Sequence, residues 1–578
     1  MNGIAAAAGM ALAVAHVVTQ PEIDTRKSVI SSASEELVRF RSAISACCSR
    51  ITAIMDDMSG VVDLQTIEIL DFQLLMLEDT DFVGEIENII SGQLANAEYA
   101  VKHVSDGHIQ KLESLTDNDY LRERTTDIAD LSQRLIAELS GAASNIPEPD
   151  MPYVAIGLDI PPSRVAELDK SKLKGIVLEK GGLTSHCVIL SKSLGIPCLI
   201  ETTGILDTAK QGDMVLLDAV SGHVTLNPGA EQIKVFDDYI TAENSKKELL
   251  DKYIGLKSVS LDGAEVKVYA NITTSAEAES VVTQGGEGVG LFRSELLYMA
   301  QQVKPPSEEV QFLEYSKAAK ALEGRPLIIR TLDIGGDKQI EYMDIGREDN
   351  PFLGYRAIRY CLDHPEIFKP QISAILRAGC AGNVWMMFPM IACKAELLEA
   401  KSIVRQVSAE LKAGGVPHDP GMKIGMMIET PAAAVDASIL AKEVDFFSIG
   451  SNDLSQYLFA ADRANSKLAK LISPFQPALL RVINSVSAAA HEAGIEVDIC
   501  GQVAEVEPLI PLWLAMGIDN LSVSIPRITD VRRKICTLYK SECESLLENV
   551  LNLDMASQVE EALMDFAERN TAYDNKTV

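Results

Sequence analysis

The chain has 578 residues, a formal net charge of −31, and 47% hydrophobic but only 5% aromatic residues. Its length implies several domains, and its charge argues against nucleic acid as a ligand, because phosphate backbones attract basic patches. The same charge disfavours anionic membranes and suits a basic protein partner, toward which opposite fields steer encounter.

The first 18 residues, MNGIAAAAGMALAVAHVV, are the most apolar stretch. No Lys or Arg precedes Arg26 and alanine dominates the run, so it reads as an N-terminal strand rather than a signal peptide or a membrane span. Residues 21–146 read as helices, with apolar residues near helical spacing in LDFQLLMLEDTDFVGEIENIISGQLANAEYAVKHV and LRERTTDIADLSQRLIAEL. The proline-rich segment NIPEPDMP ends that region. Residues 147–228 change texture: YVAIGLDI, GIVLEK, PCLIET and DMVLLDAV are short apolar runs between turns. They predict a compact α/β domain made of residues 1–20 and 147–228, into which the helices 21–146 are inserted after a lone first strand. Residues 229–257 read as a charged linker helix. From 258 to 578, eight strand candidates alternate with helical stretches: VKVYAN, GVGLFR, PLIIRTL, VWMMFP, KIGMMIE, VDFFSIG, IEVDIC and NLSVS. That alternation predicts a (β/α)₈ barrel. The fold class is thus α/β multidomain. Ten cysteines without a metal-type CxxC pair suit reduced thiols in the cytoplasm and offer no zinc site.

Active-site residues of such barrels lie at the C-terminal ends of the strands. Polar residues appear where the apolar runs stop: Asn271, Arg293 and Glu295, Arg330 and Asp333, Glu429, Asn452 and Asp453, and Cys500. Glu429 and Asp453, from adjacent strand ends, are candidate Mg²⁺ ligands, since that ion takes one or two carboxylates plus substrate oxygens and water. Capping of the following helix is the alternative role for each. Arg293, Arg330 and Arg463 are candidates for gripping phosphate and carboxylate with the planar guanidinium fork, and Arg356 is a fourth. Cys500 suits either an inert core position or a proton donor at the barrel mouth.

Of eight histidines, His186 has the distinctive context, EKGGLTSHCVILSKSLGIP. A strand, a Gly-Gly turn and then a helix would place it at a helix N-terminus, where free N–H groups and the macrodipole favour an anion. Thr184 and Ser185 would add hydroxyls beside a phosphoryl group on the imidazole.

These residues carry a resemblance over nearly the whole chain. GGLTSH, GVGLFRSELLYM, RTLDIGGDK, NPFLGYRAIR, MFPMI, IETPAAA, DFFSIGSNDLSQY, ADRAN and SIPRI resemble, in order, the motifs of enzyme I of the bacterial phosphoenolpyruvate:sugar phosphotransferase system. The resemblance implies a phosphotransferase with a nitrogenous acceptor. Phosphoenolpyruvate would bind in the barrel with Mg²⁺ on Glu429 and Asp453, held by Arg293, Arg330, Arg463 and Asn452. His186 would attack phosphorus and Cys500 would protonate the departing enolate. The phosphoryl group would then pass to the carrier HPr docked on the helical region, with residues 229–257 as hinge. Similar proteins dimerise through the barrel. An acidic run fits the carrier: from Ile51 to Val101 there is no Lys or Arg, while Asp71, Asp79, Asp81 and Glu85 are among eleven acids. Phe72, Leu74, Leu75 and Leu77 are candidates for an apolar contact.

The chain departs from the family pattern at Leu183, Cys187 and Gln502, where Arg, Thr or Ser, and Glu are usual. A dikinase or phosphoenolpyruvate synthase shares the histidine domain and barrel, but the region before the histidine domain shows no glycine-rich nucleotide loop. A non-catalytic relative that only senses phosphoenolpyruvate or binds carriers is a further alternative, against which His186, Arg330 and Glu429 all stand.

Overall fold

The computed structural model describes residues 1–18, 23–58, 64–114, 119–141, 149–160, 164, 168–182, 186–193, 195–301, 303–336, 340, 342–343, 345–346, 348–463 and 465–574. The chain divides into two compact units, Met1–Asn244 and Ser245–Val578.

The first unit is built on a seven-stranded sheet of order β1-β5-β4-β3-β2-β6-β7. Its strands are β1 Ile4–Ala7, β2 Met10–Val17, β3 Tyr153–Gly157, β4 Leu173–Leu178, β5 Cys198–Ile200, β6 Met214–Asp218 and β7 His223–Leu226. The expected lone first strand is therefore two. β1 pairs antiparallel with β5 at the sheet edge, whereas β2 lies between β3 and β6. Gly9 separates them at φ +137°, and a Cβ there would meet Pro197 Cγ at 2.8 Å. Only glycine suits that corner.

Five helices follow β2: α1 Ala33–Met58, α2 Leu64–Glu78, α3 Thr80–Gln93, α4 Ala97–Ser114 and α5 Asp119–Leu139. Phe40, Ile86, Val101 and Leu135 from these helices share one buried cluster with Tyr153, Ala155 and Ile176 of the sheet. Strand alternation turns the neighbouring residues Val154, Ile156 and Val177 into a second cluster with Leu217 and Val224 on the other face. The helix Ala230–Asp251 has no buried residue. Its apolar residues Ile233, Phe236 and Ile240 are only partly buried.

The second unit contains a closed barrel of eight strands: β8 Lys267–Ile272, β9 Val289–Arg293, β10 Leu327–Arg330, β11 Val384–Phe388, β12 Ile424–Ile428, β13 Phe446–Gly450, β14 Glu496–Cys500 and β15 Asn520–Val523. Each strand coincides with one predicted run, and every neighbouring pair is parallel. The larger core lies between strands and outer helices, as with Val497 and Ile499 against Leu479 and Ile483. A smaller cluster of Leu291, Ile328, Trp385, Met387, Met427, Phe446 and Cys500 fills the barrel interior. Among the described residues, no helix is long and apolar enough to cross a membrane.

Candidate active site

The C-terminal mouth of the barrel holds a cavity of about 520 Å³. Its lining includes Arg293, Glu295, Arg330, Asp333, Arg356, Glu429, Asn452, Asp453, Arg463, Cys500 and Gln502. The seven barrel residues to which the family resemblance gives a role, Arg293, Arg330, Glu429, Asn452, Asp453, Arg463 and Cys500, are all in that lining. Asn271 is not: its Nδ2 donates to Ser522 O at 3.1 Å and its Oδ1 accepts from Ser522 Oγ at 2.8 Å, which ties β8 to β15.

Local structure explains the convergence. β9 ends at Arg293 and β10 at Arg330, so each guanidinium starts at the rim. Buried Gln371 braces both strand ends: its Oε1 accepts from Leu332 N at 2.9 Å and its Nε2 donates to Ser294 Oγ at 3.0 Å. Ser294 Oγ in turn donates to Arg330 O at 2.7 Å. The helix Ser451–Leu458 follows β13 directly and carries Asn452 and Asp453 in its first turn. Gly501, at φ +92°, turns the chain after Cys500, and a Cβ there would come within 2.6 Å of Ser451 Oγ.

Charges alternate across the floor. Arg330 Nη2 lies 2.7 Å from Glu295 Oε1, and its Nη1 lies 2.9 Å from Asp333 Oδ2. Arg356 Nη2 lies 2.7 Å from Asp333 Oδ1, and its Nη1 reaches Asp453 at 3.4 Å. Arg463 approaches the other Asp453 oxygen at 3.5 Å. Burial alone would depress the Arg330 guanidinium, but Asp333 and Glu295 outweigh it and hold its pKa above the usual value. Arg330 Nε and Arg356 Nε are buried donors with no acceptor among the described residues. Arg293 is half-buried and has no ion-pair partner among them. The cavity thus offers several donors to an anion carrying more than one charged group.

Gly335 makes the Arg356 approach possible. It sits at φ +112°, and a Cβ would strike Arg356 Cβ at 2.4 Å. Sequence reasoning placed Arg356 only as a secondary candidate; the structure makes it the link between Asp333 and Asp453. Tyr457, not singled out by sequence, accepts from Arg356 at 3.1 Å and donates to Phe352 O at 2.5 Å.

Glu429 is 1% exposed. Its Oε1 accepts the Met390 N–H at 2.6 Å, presented by a residue at φ +56°. Burial, then the Asp453 and Asp333 carboxylates, push its pKa up to about 8 against the pull of Arg330 and Arg356. A Cβ at Gly450 would come within 2.8 Å of Glu429 Oε2, so glycine keeps that oxygen clear. Mutual repulsion of buried carboxylates is relieved by a cation, so Glu429 and Asp453 fit a hard divalent ion. Among the described residues, no group of three or more His, Cys, Asp and Glu could hold a metal. Substrate oxygens and water would therefore complete the coordination. Neither N-caps its following helix: Thr430 caps Pro431–Val435, and Asp453 lies inside Ser451–Leu458.

Cys500 is 2% exposed at the end of β14. Burial pushes its thiol up to about 11, with the Ser448 hydroxyl pulling the other way.

In the first unit, His186 is the first residue of the helix α6, His186–Ser193. The backbone thus has the predicted helix start. The His186 side chain and residues Leu183, Thr184 and Ser185 lie outside the described residues. Cys187 belongs to the core cluster beneath the sheet at 2% exposure, and burial raises its thiol pKa. That departure from the family pattern is a packing residue.

The acidic helices are less uniform than the sequence suggested. Asp79 N-caps α3, its Oδ1 accepting from Asp81 N at 2.7 Å and Phe82 N at 3.1 Å. Glu85 contacts His108 at 3.1 Å, while Arg41 pairs with Glu87 and Arg39 with Glu98. Bases from outside the 51–101 run therefore neutralise part of it. Asp81 is exposed and Asp71 half-buried, with burial raising the Asp71 carboxyl. Leu75 is 54% exposed, whereas Leu77 is in the core and Phe72 and Leu74 are half-buried.

Comparison with known proteins adds a family. Models described as "PEP-utilising enzyme, N-terminal", "PEP-utilising enzyme, mobile domain" and "PEP-utilising enzyme, PEP-binding domain" match residues 2–124, 152–222 and 247–539. A "Phosphoenolpyruvate-protein phosphotransferase" of Priestia megaterium is 38% identical over 562 residues, covering 97% of each chain. One of the same description from Bacillus subtilis (strain 168) is 38% identical over 562 residues, 97% of this chain and 98% of that one. Another, from Staphylococcus carnosus (strain TM300), is 38% identical over 569 residues, 98% of this chain and 99% of its own.

Proposed function

The chain belongs to the phosphoenolpyruvate-protein phosphotransferase family, the enzyme I family of the phosphotransferase system, and from that premise we propose how its residues move the phosphoryl group. The observation that carries the proposal is the meeting of seven sequence-predicted residues around one cavity.

Arg293, Arg330, Arg463 and Asn452 hold the phosphate and carboxylate of phosphoenolpyruvate. Glu429 and Asp453 hold Mg²⁺, which supplies neutralisation of phosphoryl and enolate charge when bound. His186 attacks phosphorus in line: the N–P bond forms, the P–O bond to the enol oxygen breaks, and its electron pair leaves with the enolate. Cys500 gives its proton to the methylene carbon, and pyruvate results. Positioning and charge neutralisation do most of the catalytic work, because phosphoryl transfer asks little covalent chemistry of the protein.

His186 then hands the phosphoryl group to a histidine of the carrier HPr, which starts the phosphorylation that accompanies sugar uptake. Asp71, Asp79, Asp81 and Glu85 form the carrier's docking surface on the inserted helices 21–146. His186 belongs to the α/β domain of residues 1–20 and 147–228, and shuttles between this surface and the barrel of residues 258–578, with 229–257 as linker. The protein works in the cytoplasm as a homodimer joined through the barrel.

The metal assignment is tested by phosphoenzyme formation across a Mg²⁺ titration. Glu429→Ala should form none at any concentration. An unchanged magnesium dependence in that variant would remove Glu429 from the site.

A further inference from the structure

A buried thiol is a poor acid and leaves behind a costly thiolate. Cys500 faces this problem on the inner wall of the barrel, among Leu291, Met427 and Phe446. The charged groups that bear on it are divided: Arg330 of β10 and Arg293 of β9 favour the thiolate, and Glu429 after β12 opposes it. One neutral group touches the sulfur directly. Ser448, in β13, is fully buried, and its Oγ donates to Cys500 Sγ at 3.5 Å. The sulfur's own proton can rest on Ile449 O, also at 3.5 Å.

The parallel register explains why Ser448 fills this role. Gly450 is paired with Cys500, and Ser448 with Asp498 one step below. Gly450 has no space for a side chain, since a Cβ would lie 2.8 Å from both Glu429 Oε2 and Met427 Sδ. Ser448 is then the nearest residue of β13 that can send a hydroxyl up to the sulfur.

We propose that Ser448 is a positioning residue for the proton step, holding Cys500 Sγ by donation and stabilising the thiolate left after its proton has gone to carbon. The inference rests on the reading of Cys500 as the proton donor. In that step the S–H bond breaks and its electron pair stays on sulfur. The enolate π pair forms the new C–H bond at the methylene carbon, and the enolate oxygen becomes the pyruvate carbonyl. Water restores the thiol proton. Ser448 keeps its own proton throughout.

The test uses the full-length protein in ordinary water, Mg²⁺, a carrier acceptor, and phosphoenolpyruvate carrying deuterium and tritium in one defined geometry at the two methylene positions. The configuration of the labelled pyruvate methyl group reports whether protonation occurs on the enzyme or after release of the enol. Wild type should give one configuration. Ser448→Ala should lower the stereospecific fraction about tenfold, the weight of a hydrogen bond to a charged group. Its Cys500 alkylation profile, read by mass spectrometry, should move to higher pH by about one unit. Ser448→Thr, which keeps the hydroxyl, should restore both. A wild-type fraction and alkylation profile in Ser448→Ala, with stereochemistry lost in Cys500→Ala, would overturn the Ser448 role alone. Stereospecific product from Cys500→Ala would overturn the donor reading and the inference with it.

Discussion

Asp333 and Arg356 form a buried ion pair, Oδ1 to Nη2 at 2.7 Å, with side-chain exposures of 4% and 3%. Removing Arg356 leaves Asp333 to Arg330 and Asp453 to Arg463, and the buried negative charge that is then no longer matched costs stability. Arg356→Leu should therefore destabilise the barrel unit by about 3–5 kcal/mol, read by denaturant unfolding. Arg463, 31% exposed and 3.5 Å from Asp453, should behave differently. Arg463→Ala should cost under about 1 kcal/mol in stability yet raise KM for phosphoenolpyruvate about tenfold or more, because one charge-assisted contact is lost.

The proposed role of Glu429 as a cation ligand predicts that stability is coupled to cation binding. Mg²⁺ at a hundredfold excess over Kd should stabilise the wild-type protein by about 2.7 kcal/mol, read as a higher unfolding temperature. Glu429→Gln removes the repulsion with Asp453. It should be more stable than wild type without metal and gain little from adding it. A full magnesium shift in the variant would contradict this.

Asp498 gives a pH dependence away from the mouth. It is 1% exposed, bonded to Asn520, and burial raises its pKa from 3.8 to about 8. Between those values the folded state binds a proton that the unfolded state does not. Stability should accordingly fall as pH rises from about 4 to about 8. Asp498→Asn should flatten that slope and be the more stable protein at pH 8, by about 1–3 kcal/mol. Parallel stability curves for the two proteins would contradict the assignment.

Two neighbouring acids on the helices separate folding from docking. Asp79→Ala should lose about 1 kcal/mol, because the α3 cap is lost. Asp81→Asn should leave stability within about 0.5 kcal/mol and weaken HPr binding, with a smaller salt dependence than wild type. Unchanged affinity in Asp81→Asn would move the docking surface elsewhere.

The barrel was legible because its signals are local. A run such as KIGMMIE shows both a strand and, at its end, Glu429. Relationships across long sequence separations were not. Arg356 meets Asp453 97 residues later, and Arg39 neutralises Glu98 59 residues later. Within an alanine-rich run, Gly9 gave no sign that two strands part there. Ser448 carries no local signal inside an apolar strand, since only the register beside Cys500 gives its hydroxyl a task. Cys187 stood next to the key histidine in sequence, but helix geometry turns it into the core.

The central claim is that His186 carries the phosphoryl group. Incubation with labelled phosphoenolpyruvate and Mg²⁺ should place acid-labile, base-stable label on wild type and none on His186→Ala. Equal labelling of the two proteins would contradict it.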